Sequence, residues 1–195
     1  MICHINKTIF VHIPKTAGTS VESMFGFVKL FKNSKKFEEK VPGKHLFLSE
    51  IHQAKAFLFD KYFIWTIVRN PWEREYSYYN MAKNQLRYRH MDFKEFLKKV
   101  TIPNVKNGTR AFTHQLKFIT IDDNVAVDKM IRYENLESGW EEVCKKIKKP
   151  YEKLNHVRKA KPKLTIKEAY DQECIDIVAD LRRDDIEFLG YDFNF

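Results

Sequence analysis

The chain has 195 residues, 44% hydrophobic and 14% aromatic, with only 6 Gly and 6 Pro. That composition excludes a disordered or fibrous protein and suffices for one well-buried core, so residues 1–195 read as a single domain. Lys and Arg number 35 against 26 Asp and Glu, a formal charge of +9 that favours anionic partners without naming one.

Along the chain, short apolar runs alternate with longer amphipathic ones. "TIFVHI" (8–13) predicts a buried strand. After Pro14 come a loop and a helix over about 19–30, with Val21, Met24, Phe25 and Val28 on one face. "SEIHQAKAFLF" follows a basic linker, and Ser49 is its expected N-cap. "YFIWTIV" (62–68) predicts a second strand, running into a helix capped by Asn70 with Pro71 at its first position. Helices are expected near 92–100 and 110–118, and a third strand over "VAVDKMIRY" (125–133). In the tail, "TIKE" (165–168) is a capping box opening a helix that buries Ile166, Ala169, Tyr170, Ile177 and Leu181 and ends at Gly190. This order argues for an α/β fold with a mostly parallel sheet, whose ligand site lies at the carboxyl ends of the strands.

Cys3, Cys144 and Cys174 form no C-x-x-C pair, so neither a disulfide scaffold nor a zinc site is expected, and a reducing, cytoplasmic location fits best. No stretch approaches the ~20 apolar residues of a membrane span.

The chemistry begins in "PKTAGTS" (14–20). Gly18 allows close approach of a ligand, and Thr16, Thr19 and Ser20 offer hydroxyls. The N–H groups opening the helix face outward, and Lys15 adds a mobile charge. These are the parts of a phosphate cradle, although a plain capped helix with an exposed lysine has the same residues. A nucleoside triphosphate loop places its lysine directly after the last glycine, whereas here no lysine follows Gly18 until Lys29.

The order P-K-T-A-G-T-S closely resembles the 5′-phosphosulfate loop of sulfotransferases, in particular the carbohydrate sulfotransferases of Golgi type and their small bacterial or viral relatives. "TIVRNPWEREYSYY" (66–79) is similar to that family's second motif, with Val68, Arg69, Asn70, Pro71, Trp72, Arg74, Ser77 and Tyr79 in register. "IRYENL" (131–136) and "DDIEFLGYDF" (184–193) extend the likeness to nearly the whole chain, while "YEKLNHVRKAKPK" follows the family's basic loop only loosely.

The resemblance implies a P-loop-NTPase-like central parallel sheet flanked by helices on both faces. It also implies a donor, 3′-phosphoadenosine 5′-phosphosulfate, with adenosine 3′,5′-bisphosphate as product and no metal requirement. It assigns the 5′ end to Lys15, Thr16, Ala17, Gly18, Thr19 and Ser20, the 3′-phosphate to Arg69 and Ser77, and weaker contacts to Arg158, Lys159 and Lys161. Lys15 would also offset charge on the leaving 5′-phosphate.

For the general base, relatives that include heparan sulfate 2-O-sulfotransferases carry a histidine between the two motifs, which points to His45. Other branches use a glutamate, making Glu50 the runner-up. Imidazole titrates near neutral pH, as the task requires. His12, inside the first strand pattern, is expected to be a satisfied core histidine. Trp72, Tyr76 and Tyr79 fall at core spacing, and Arg74 could pair with Glu75 or Asp92 for structure alone.

The acceptor implied is a hydroxyl, most readily of a saccharide; no nucleic-acid partner is expected. Two competing readings are a Mg²⁺-dependent nucleotide kinase, with Asp60 or Asp128 on the metal, and a non-catalytic module binding polyanions.

Overall fold

A computed structural model describes residues 1–25, 45–154 and 164–195. Its strands are β1 (Ile2–Cys3), β2 (Thr8–Val11), β3 (Phe63–Val68), β4 (Thr120–Ile121), β5 (Asn124–Val125) and β6 (Lys129–Arg132). Helices in the first half are α1 (Gly18–Met24), α2 (Leu48–Lys55), α3 (Pro71–Ala82), α4 (Phe93–Phe96) and α5 (Ile102–Lys106). The second half adds α6 (Gln115–Ile119), α7 (Leu136–Lys146), α8 (Ile166–Ala169), α9 (Gln172–Leu181) and α10 (Arg183–Leu189). The chain divides into two compact units, Met1–Val68 with Leu116–Arg158, and Arg69–Gln115 with Lys159–Phe195.

The first unit is built on a sheet of order β1-β2-β3-β6, flanked by helices. β2, β3 and β6 run parallel, with Phe10 opposite Trp65 and Ile67 opposite Ile131; only β1 is antiparallel. Phe10, Trp65, Ile67 and Ile131 share one face and pack against Val21 of α1 and Trp140, Val143 and Cys144 of α7. The alternate residues Ile9, Val11, Ile64, Thr66 and Val68 are buried too, which is why these strands read as unbroken apolar runs. The Trp65 indole N–H donates to the Thr8 hydroxyl at 3.0 Å, and the Trp140 N–H to the Glu152 carbonyl at 2.9 Å, so neither ring buries an unsatisfied donor.

Two expectations change here. Residues 125–133 are not one strand: β4 and β5 form a separate hairpin, turned by Asp122 and Asp123 at φ 48° and 61°, the left-handed pair a tight hairpin needs. Ser49 is not the N-cap of α2, which starts at Leu48, while the Glu50 carboxylate accepts from the Phe47 N–H at 2.8 Å.

In the second unit α3 begins as expected, with Pro71 first and the Asn70 Oδ1 accepting from the Trp72 N–H at 3.1 Å. Trp72 and Tyr76 are core, packed with Phe93, Leu97, Tyr170, Cys174 and Val178. The helix expected to end near residue 100 continues through a π turn at Leu97–Thr101 into α5. Pro103 brings no N–H to that ladder, and the widened turn lies just ahead of it.

The tail is three helices where the spacing suggested one. The capping box holds, with the Thr165 N–H donating to Glu168 at 2.8 Å, but Tyr170 is extended and Asp171 caps a new start by accepting from the Cys174 N–H at 2.9 Å. Tyr170 thereby buries its ring, and its hydroxyl donates to the Trp72 carbonyl at 2.8 Å. Gly190, at φ 62°, ends α10 in the left-handed cap.

Arg74 is buried and donates to the Thr113 carbonyl at 2.9 Å, while Glu75 forms a fully buried ion pair with Arg182 at 2.6 Å. All three cysteines are buried and unbridged, and burial pushes the Cys144 and Cys174 thiols up to about 11.

Candidate functional site

β2 delivers the chain into the loop at the carboxyl end of the parallel strands. There Lys15 and Ala17 adopt φ 70° and 68°, left-handed conformations uncommon for residues with a side chain. Such strain, of order 1–3 kcal/mol each, is kept where the surroundings over-determine it, commonly at ligand clamps. Ala17 is the N-cap of α1 and offers no capping side chain, so an anion can take that role at the first turn. Lys15, Ala17 and Thr19 are partly exposed, whereas Thr16 and Ser20 are buried. The Thr16 hydroxyl donates inward to the Ile13 carbonyl at 2.9 Å and serves to close the loop.

Beneath the loop lies a histidine pair. His12, 4% exposed, meets the Glu22 carboxylate through Nδ1 at 2.6 Å, which matches the expectation of a satisfied core histidine. His45 crosses it edge to face with ring centroids 4.3 Å apart, and its Nδ1 lies 2.9 Å from the His12 carbonyl oxygen. A carbonyl oxygen only accepts, so Nδ1 of His45 carries a proton, and in the neutral ring Nε2 is left as the acceptor.

Gly18 is needed at this point, because a Cβ there would run into the His12 imidazole. Since Glu22 and His45 hold that ring, Gly18→Ala is expected to lower unfolding free energy by about 1–3 kcal/mol, as overpacking does. Urea denaturation measures it; an unchanged midpoint would mean that His12 gives way freely.

In the second unit, Arg69 stands one residue past the end of β3 and donates from Nε to Glu73 at 3.1 Å. Glu73 and Ser77 stand four apart on α3 and so share one of its sides; both are partly exposed, as is Arg69 just ahead of the helix, whereas Trp72, Arg74, Glu75, Tyr76 and Tyr78 are buried. The Gln115 side chain holds the Arg69 main chain at both ends, accepting from its N–H at 3.0 Å and donating to its C=O at 2.8 Å.

Asp60 and Asp128, the acidic residues a metal-dependent kinase would need, lie at the amino end of β3. Asp60 precedes the strand, and the Asp128 carboxylate accepts from the Ile64 N–H at 2.7 Å. Neither ends a strand beside the Lys15 loop. Arg158, Lys159 and Lys161 lie outside the described residues.

Glu22 and Gln115 escaped the sequence reading. For Glu22 a signal existed: a carboxylate next to Val21 on the buried side of α1 needs a partner, and His12 faces the same layer. For Gln115 none existed in "THQLKF".

Among the described residues no helix is long and apolar enough to cross a membrane. Neither the curated proteins nor the solved structures yield a match to this sequence. A family model does match, described as the sulfotransferase family, over residues 1–192. With a strained, lysine-bearing loop after the first parallel strand and an arginine directly after the second, the chain belongs to the sulfotransferase family, whose members transfer a sulfuryl group to an acceptor.

Proposed function

We propose that this protein transfers the sulfuryl group of 3′-phosphoadenosine 5′-phosphosulfate to a hydroxyl, preferentially of an anionic saccharide, and that residues 1–195 act as one sulfotransferase domain. The observation carrying the mechanism is the bond from His45 Nδ1–H to the His12 carbonyl, which turns a basic Nε2 away from that carbonyl. When bound, the donor supplies an activated sulfuryl group with adenosine 3′,5′-bisphosphate as leaving group. His45 takes the acceptor's hydroxyl proton at Nε2 as the acceptor oxygen forms its bond to sulfur and the sulfur–oxygen bond to the 5′-phosphate breaks. Lys15 offsets the charge gained by that phosphate.

The loop fits an anion: its lysine is partly exposed and its helix start lacks a side-chain cap through Ala17. Ala17, Gly18, Thr19 and Ser20 are the proposed 5′ contacts, with Thr16 contributing through its main chain, since its hydroxyl is bonded to Ile13. Glu50 is the weaker base candidate, because its carboxylate is engaged by the first turn of α2. The excess of basic residues suits an anionic acceptor. Buried, unbridged thiols suit a reducing compartment.

Arg69 and Ser77 are proposed to hold the 3′-phosphate. Arg69→Ala should weaken adenosine 3′,5′-bisphosphate by roughly 10- to 100-fold, the scale of one or two hydrogen bonds between charged groups, and leave adenosine 5′-phosphate nearly unchanged. Equal losses for both ligands in calorimetric titrations would remove the 3′-phosphate role.

A further inference from the structure

We propose that Gln115 is a positioning residue that sets selectivity for the 3′-phosphate by fixing the main chain of Arg69; this rests on the 3′-phosphate role given to Arg69 above. The last paired residue of β3 is Val68, opposite Arg132, so Arg69 stands just beyond the sheet ladder. Its N–H and C=O are nevertheless both satisfied by one side-chain amide, at 3.0 and 2.8 Å. A primary amide is the side chain that can accept and donate as a neighbouring strand would.

Gln115 is itself held. It is fully buried, and its own N–H donates to the Asp185 carboxylate, also fully buried, at 2.8 Å. Beyond the main chain, Glu73 fixes the guanidinium at Nε. The arginine fork is thus constrained at both ends of its side chain, Gln115 holding the root and Glu73 the head. Phosphate recognition by arginine depends on the direction of that planar fork, so loosening the root costs affinity for the 3′-phosphate specifically.

The test is the affinity ratio of adenosine 3′,5′-bisphosphate to adenosine 5′-phosphate, measured by calorimetry on the full chain. A purely structural role for Gln115 would lower stability and leave this ratio alone. Gln115→Met, which keeps length and removes both bonds, is expected to lower the ratio about 10-fold or more, the scale of loss when a binding group is misplaced. Gln115→Glu keeps the acceptor for the Arg69 N–H and loses the amide donor, so a smaller fall is expected; it carries the test if the methionine variant does not fold. An unchanged ratio in a folded variant, with Arg69→Ala abolishing selectivity, overturns the positioning role and leaves the Arg69 assignment standing. If Arg69→Ala itself leaves the ratio unchanged, the 3′-phosphate reading fails and the role of Gln115 falls with it.

Discussion

Exchanging His45 for glutamine is expected to lower the rate of sulfuryl transfer by about 10²–10⁴-fold, the usual contribution of a positioned general base, with little change in affinity for adenosine 3′,5′-bisphosphate. Glutamine removes the basic nitrogen, and the retained affinity for adenosine 3′,5′-bisphosphate separates loss of the base from a change in loop geometry. Single-turnover measurements with labelled donor separate this step from product release. The parallel variant Glu50→Gln keeps an oxygen to accept from the Phe47 N–H and is expected to leave the rate within a few fold. The reverse pattern, with Glu50→Gln inactive and His45→Gln active, would transfer the role of base to Glu50.

The second large effect concerns stability. Glu75 and Arg182 are each fully buried; Arg182 donates to Glu75 from Nε at 2.9 Å and from Nη2 at 2.6 Å, and from Nη1 to the Phe112 carbonyl at 2.7 Å. Removing one partner leaves an uncompensated charge in the core, so Glu75→Leu is expected to cost about 3–5 kcal/mol. Typical domains are stable by only about 5–15 kcal/mol, so the variant would be close to unfolding at physiological temperature. The double variant Glu75→Leu with Arg182→Met should recover most of the loss, because no charge is then stranded. Chemical denaturation of the three proteins measures this, and a loss under about 1 kcal/mol for Glu75→Leu would show that the buried arginine finds other compensation.

The strands and the entry into α3 were legible in the sequence for simple reasons. Buried parallel strands need unbroken apolar runs, which "TIFVHI" and "YFIWTIV" supply, and Asn-Pro fixes where a helix starts. The tail was less legible, since Ile166, Ala169, Tyr170 and Ile177 keep helical spacing across a break. The break arises from Asp171 capping a new helix and from Tyr170 docking on Trp72, and the second of these is a tertiary contact that periodicity does not contain. The Asp122-Asp123 turn is hard to read from sequence, because aspartate is a weaker left-handed signal than glycine.

The candidate site divides along the same line. Arg69 directly follows β3 and Lys15 lies in the loop that follows β2, so both could be named from local sequence as basic residues after an apolar run. The groups that orient such residues come from far along the chain. Gln115 lies 46 positions from Arg69, and His45 lies 33 positions from the His12 carbonyl it engages. No spacing rule links residues so separated, so second-layer partners such as Gln115 emerge only from the folded chain.

Recognition of a 3′-phosphorylated adenosine donor is tested most directly by titrating the unmodified protein with adenosine 3′,5′-bisphosphate in the presence of EDTA, and separately with ATP and Mg²⁺. Saturable binding of the bisphosphate without metal, tighter than that of ATP with Mg²⁺, is the result predicted. No detectable bisphosphate binding, or tighter binding of ATP that requires Mg²⁺, would contradict it.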